Sequence, residues 1–374
     1  MPDVVVVGGG PVGLAAAIAV RMRGLEVLVA ERDHPPIDKA CGEGVMPEGV
    51  AALAALGVAA SGYGRPFHGI RFCEADLSAE GRFPAGCGLG IRRPVLHQLL
   101  VDRAAEAGVA MRWGENVSSI GPGRVDLCGQ AVACRWVVGA DGLESQVRRW
   151  AGFRPPSRKR RRIGMRHHFR AKPWTDLVEV HWRNNCQAYV TPVSSDEICI
   201  AILARKPEGR LVQSIRQFPE LCRRLDGAEP IGSVRGGTSV SGRMRSVVRN
   251  GFALVGDASG SVDAVTGEGL SLGFRQAIAL SEAIEKGNLE QYQLVHRRLG
   301  RPPSLMAGLL LFVGDRTWLR RRVLRALGAQ SEVFDLMLAV HIGALSLGAV
   351  RIGALARFAG RLLASAPLNN GNLA

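Results

Sequence analysis

Gly8, Gly10 and Gly13 stand directly behind four valines, Val4-Val5-Val6-Val7, and in front of an Ala-rich stretch from Leu14 to Met22. Val27-Leu28-Val29-Ala30 and the acid Glu31 follow. The order is strand, glycine turn, helix, strand, acid, which is the context that G-x-G-x-x-G needs. Glycines at these positions allow a tight turn, close approach of backbone to a pyrophosphate, and close packing of helix on strand. The helix start offers free N–H groups and a positive dipole end to phosphates. Glu31 stands where a carboxylate accepts hydrogen bonds from ribose hydroxyls. Pro11 and Val12, inside the turn, and Arg32, after the acid, complete the candidate binding set. The pattern predicts a dinucleotide site.

Later segments decide which dinucleotide. Trp136-Val137-Val138-Gly139-Ala140-Asp141-Gly142 is an apolar strand ending in Asp-Gly, with Ser145 and Val147-Arg148 behind it. Gly251 to Ala258 is a second strand, ending in Gly256-Asp257. Thr266-Gly267-Glu268-Gly269-Leu270 then opens a helical stretch, Ser271 to Ile284. Arg92-Arg93-Pro94-Val95-Leu96, with Leu99-Leu100, forms a fourth segment. In this order and spacing the chain resembles the group A flavoprotein monooxygenase and geranylgeranyl reductase superfamily.

The resemblance implies FAD. It assigns the first glycines and Arg93 to the pyrophosphate, Asp141 to the neighbourhood of FAD, and Asp257 to the ribityl chain. It aims the helix opened by Gly267, Gly269 and Leu270 at the isoalloxazine, where backbone N–H groups can meet the charge that collects on reduction. It also implies an α/β fold, with a Rossmann-like FAD-binding domain of the glutathione reductase type, an antiparallel β-sheet substrate domain and a C-terminal helical region. The FAD domain is discontinuous, taking residues 1–65, 88–153 and 243–298. The β-rich substrate domain takes 66–87 and 154–242, and a basic helical region takes 299–374.

FAD carries the reaction, so no catalytic triad is needed. The favoured reading is a monooxygenase, with NADPH or NADH and O2, hydroxylating a hydrophobic phenolic or polyketide-like small molecule. The alternative is an alkene reductase of the geranylgeranyl reductase type, acting on a lipid or isoprenoid. Lys39-Ala40-Cys41-Gly42-Glu43-Gly44 resembles the Cys-Gly-Glu-Gly segment of those reductases, which places Cys41 and Glu43 at the reaction. Tyr189-Val190-Thr191-Pro192 departs from their Tyr-x-Trp-x-Phe-Pro pattern. Halogenation is the weakest reading, because Trp174 and Trp182 do not form the Trp-x-Trp-x-Ile-Pro stretch of those enzymes. A hydroxylase needs a base to deprotonate a phenol, and His167, His168 and Tyr189 are the candidates. No second glycine fingerprint for NAD(P)H is visible, so that cofactor visits transiently or a separate reductase supplies electrons.

Composition bounds the partners. Lys+Arg 48 against Asp+Glu 33 leaves the 374-residue chain at +15. So basic a chain suggests an anionic partner, and the absence of a helix-turn-helix, zinc-finger or RNA-binding signature argues against nucleic acid. Arg154 to Arg170 reads as a solvated loop or strand edge, or as a dock for an anionic carrier, headgroup or phosphate. Leu309-Leu310-Leu311-Phe312 and Trp318 to Arg325 mix apolar and arginine faces. Leu345, Leu347, Val350, Ile352, Leu355 and Phe358, with Arg351, Arg357 and Arg361, continue that theme. These helices are expected to cap the FAD domain or to lie on an anionic membrane. The eight cysteines show no C-x-x-C spacing, so no metal site is expected. Scattered cysteines without a signal peptide read as a reducing cytoplasm, with peripheral contact at the inner membrane face open. The run Leu336–Val350 is short for a spanning helix.

Overall fold

The computed structural model describes residues 1–205 and 211–345, with the side chains of 158–160 and 212 left aside. Strand β1 (Val4–Val7) is wholly buried, as a central parallel strand covered on both faces must be. Helix α1 (Pro11–Arg21) returns the chain to β2 (Val27–Glu31), which pairs parallel with β1. Because α1 is built from alanines between Leu14 and Val20, it is thin enough to lie between the sheet and two further helices, Arg93–Glu106 and Gly269–Glu285.

Among the described residues the first sheet has six strands, parallel except for the edge strand Val248–Arg249, which runs antiparallel to its neighbour. Their order is Val248–Arg249, Phe252–Leu254, Trp136–Gly139, β1, β2 and Ala110–Trp113. Residues 136–139 and 252–254 lie on the same side of β1 although more than a hundred residues separate them from it. The cofactor strands are therefore collected from three separate stretches.

An eight-stranded sheet forms the second layer. Its order is Gly260–Ser261, Glu229–Arg243, Ser157–Arg170, Glu197–Ala204, Cys186–Pro192, Val178–Arg183, Gly69–Glu74 and Leu77–Arg82. Neighbours run antiparallel except Val178–Arg183 beside Gly69–Glu74. The expected strands at 177–182, 187–192 and 197–202 are present as Val178–Arg183, Cys186–Pro192 and Glu197–Ala204.

The basic stretch from 154 to 170 divides between surface and interior: Arg154, Arg161 and Arg170 are exposed, as a solvated face would be, while others turn inward. Ser157–Arg170 is an interior strand, with partners on both edges. Its residues Arg162, Arg166 and His168 are buried. Burial of arginine demands partners, and they are supplied. Arg162 pairs with Asp263 at 3.2 Å and also donates to Gln187 and to the Leu203 carbonyl. Arg166 pairs with Asp38. Arg162 and Arg166 are internal struts.

Among the described residues three helices follow Gly269–Glu285: Leu289–Gly314, Thr317–Gly328 and Ser331–His341. The first packs on Gly269–Glu285, and the other two lie on the edge strand Leu77–Arg82. Phe334 stacks on Phe72 with ring centroids 4.8 Å apart, and Trp182 meets Phe72 edge-on. The cap thus bridges both layers rather than covering the FAD side alone. Leu347, Val350, Arg351, Ile352, Leu355, Arg357, Phe358 and Arg361 lie outside the described residues. No described helix is long and apolar enough to cross a membrane.

Candidate active site

A cavity of about 680 Å³ runs between the two layers. Gly8, Gly10, Pro11, Val12, Glu31, Arg32, Arg93, Asp141, Gly256, Asp257, Gly267, Gly269 and Leu270 line it, and so do Cys41, Glu43 and Tyr189. Gly13 does not. A β-carbon there would fall 1.9 Å from the Gly8 carbonyl oxygen, so its hydrogen lets α1 lie against the turn. Gly8 has φ +110°, and a β-carbon on it would meet the Ala140 carbonyl oxygen at 2.5 Å. Its requirement is therefore both conformational and steric.

The cavity's first half suits a phosphate-bearing, hydroxyl-rich ligand. Two helices, α1 and Gly269–Glu285, begin at it, and no side chain caps either start. Their first N–H groups and positive dipole ends are left for a ligand. Arg93 Nε and Asp141 Oδ1 are buried with no hydrogen-bond partner. Glu31 accepts from the Gly9 N–H at 2.7 Å and the Asp33 N–H at 3.0 Å, so it shapes the glycine turn and still has lone pairs for hydroxyls. Asp257 faces Lys39 at 3.6 Å. Asp141 also serves its own loop, because its Oδ2 accepts from the N–H groups of Gln146 and Val147 at the start of helix Gln146–Trp150. The residues present fit FAD, whose pyrophosphate and ribose need these donors and acceptors.

The second half is walled largely by the apolar residues Met46, Phe67, Val178, Ile202 and Leu203, with the polar residues Arg166, Thr191 and Thr238 also lining the cavity. At the junction lies the loop carrying Cys41 and Glu43. Cys41 Sγ accepts the Glu43 N–H at 3.3 Å. Glu43 has φ +58°, a left-handed conformation costly for a residue with a β-carbon. Its carboxylate holds that conformation from within the protein. One oxygen accepts the Arg93 N–H at 3.0 Å and lies 3.5 Å from the Arg166 guanidinium; the other meets His168 Nε2 at 2.6 Å. Glu43 therefore caps the helix Arg93–Glu106 and ties it to the second layer.

The expected bases are placed differently from the sequence reading. His168 is fully buried between Glu43 and Arg166 and does not line the cavity. It acts on Glu43, not on a ligand. His167 points to the opposite side of its strand, where Nε2 meets the Gly232 carbonyl at 3.2 Å. No histidine is among the described residues that line the cavity. Tyr189 does line it, but its hydroxyl donates to the Val265 carbonyl at 3.1 Å, and burial pushes its pKa up, so it stays a neutral phenol.

Arg166, Asp38 and Cys199 were not singled out from the sequence. The signal available was the spacing of Arg162, Arg166 and His168, which marks one strand face. Cys199 stands opposite His168 in the neighbouring strand, and Glu43, His168 and Cys199 bring ligand-type atoms within 4.8 Å of one another. Cys73, Glu179 and His181 do the same elsewhere, but there Arg71 and Trp174 already occupy the Glu179 carboxylate.

Comparison with known proteins agrees with this geometry. A menaquinone reductase of Mycolicibacterium smegmatis is 27% identical over 319 residues, 78% of this chain and 78% of its own. Digeranylgeranylglycerophospholipid reductase 1 of Methanothermobacter thermautotrophicus is 25% identical over 331 residues, 80% of each chain. A solved flavin-dependent brominase superposes with a TM-score of 0.81 at 18% identity, covering 97% of this chain and 98% of that one, a likeness of fold. The family described as FAD binding domain matches residues 1–286, from the glycine turn through the helix that begins at Gly269. The chain belongs to the FAD binding domain family, and it is an FAD-dependent oxidoreductase.

Proposed function

We propose that this oxidoreductase saturates an isolated carbon–carbon double bond in an isoprenoid lipid. The carrying observation is what meets at the cavity's midpoint: the Cys41 thiol on one side, an apolar chamber on the other, and no histidine among the described lining residues. Phenol hydroxylation, the reading favoured from sequence, would need a base there, and His168 is committed to Glu43. The similar reductases carry isoprenoid-lipid names, menaquinone and digeranylgeranylglycerophospholipid, which supports the same reading.

FAD, when bound, would supply the hydride that the reduction requires. The uncapped start of α1, Arg93 and Glu31 would hold its pyrophosphate and ribose, and the helix start at Gly269 and Leu270 would offer N–H groups to its ring. The apolar chamber receives the chain and excludes water from it. The Cys41 thiol gives its proton to the second alkene carbon, and the Glu43 N–H steadies the sulfur that remains. NADPH, NADH or a separate reductase provides the electrons.

The test is anaerobic turnover of a geranylgeranyl glycerophospholipid by the reduced holoenzyme, read by mass spectrometry. The product gains two hydrogens, and Cys41→Ala loses it while retaining flavin. A product formed only in air and carrying one labelled oxygen from O2 would replace this reading with hydroxylation.

A further inference from the structure

Helix Leu289–Gly314 has two apolar sides. Ala307, Leu310 and Leu311 pack inward, into the cluster that also holds Met46, Phe67, Val178 and Leu203 of the cavity wall. On its outer side Leu294 is 65% exposed, Leu305 62%, Leu309 45% and Phe312 51%. At about 100° per residue Leu305, Leu309 and Phe312, the three that follow Pro302 and Pro303 in the helix, fall within an arc of roughly 60°. Arg298 and Arg301, both exposed, lie on the same stripe. Beyond the helix end, exposed Arg316 covers Phe312 with its guanidinium 4.0 Å from the ring centroid. Trp318, 54% exposed, opens the next helix, with Arg322 over its ring.

A helix that is apolar on both sides is ordinarily buried on both, and an exposed stripe of large apolar residues marks a binding surface. Arginines interleaved with it name the partner's charge. Leucine, phenylalanine and tryptophan beside arginine form the composition that lies in a bilayer interface, with side chains in the acyl boundary and guanidinium groups among phosphates. We propose that the outer stripe of Leu289–Gly314, continued by Trp318, docks the protein in-plane on an anionic lipid bilayer. Docking sets the helix between the bilayer and the apolar wall of the cavity. The proposal goes beyond the reductase reading and does not require it.

The test is co-sedimentation of the FAD-loaded full chain with phosphatidylcholine vesicles, with and without phosphatidylglycerol, at low and high salt. Binding is expected with phosphatidylglycerol, weakened by salt. The double substitution Leu305→Glu, Phe312→Glu should weaken it about tenfold or more. Arg298→Gln with Arg301→Gln should remove most of the preference for the anionic vesicle. Flavin absorbance and thermal melting confirm that each variant is folded. Equal partitioning of parent and variants, or no preference for phosphatidylglycerol, overturns the proposal. So does a dimer in light scattering that Leu305→Glu converts to monomer, because the stripe would then be covered by a second copy.

Discussion

Single side chains at the cavity have unequal roles, and substitution separates them. Glu31→Ala removes the acceptor of the Gly9 N–H together with the ribose partner. FAD affinity should fall about tenfold or more, the scale of one lost charged hydrogen bond, read as flavin absorbance remaining after gel filtration. His168→Ala should leave flavin bound yet slow turnover by about 10- to 100-fold, because Glu43 loses the contact that holds its loop and Cys41 shifts. A positioning role also requires that His168→Gln recover part of the rate and that the pH profile keep its shape. Unchanged turnover in His168→Ala would refute the clamp. The residues that line the cavity's first half could be picked out one by one, since glycine spacing and strand-end acids are local. The clamp could not, because Asp38, Glu43, Arg166 and His168 are joined only by tertiary pairing.

Elements succeed or fail by how closely they approach. Gly13→Ala would press a methyl group into the Gly8 carbonyl, so α1 must move off the turn. FAD binding should be lost, and stability should fall by about 1–3 kcal/mol in urea unfolding. Elements with short apolar runs between turn residues, such as Cys186–Pro192 and Glu197–Ala204, could be read from sequence. Ser157–Arg170 could not. Its run of arginines has the composition of a solvated segment, and only pairing with Asp263 and Asp38 makes an interior strand of it. The partner strand Glu229–Arg243 escaped for the opposite reason: glycine, proline and serine there imitate a loop.

At the scale of the molecule, the helical cap is joined to the second layer by a buried ion pair, Arg320 with Glu74, and Arg320 also donates to the Gly314 carbonyl at 2.7 Å. Removing one buried partner strands the other, so Arg320→Ala should cost about 3–5 kcal/mol in denaturant unfolding. The cap also touches the cofactor layer through His341, beside the Thr266 carbonyl and Glu268. Burial lowers the His341 pKa to about 4 and raises that of Glu48 to about 7. For His341 the stability is present above its ordinary value of 6.5 and is lost as pH falls through about 4. For Glu48 it is present below its ordinary value of 4.5 and is lost as pH rises through about 7. Melting temperature against pH should therefore decline at both ends, and Glu48→Gln should flatten the alkaline side; a profile identical to the parent's would remove Glu48 from this account. The Glu43 clamp has a further consequence for descent. An arginine at position 43 would set a second buried cation beside Arg166 and leave His168 facing two positive charges. A cation at position 43 therefore calls for compensating changes at 166 and 168, because the three side chains share one buried charge balance.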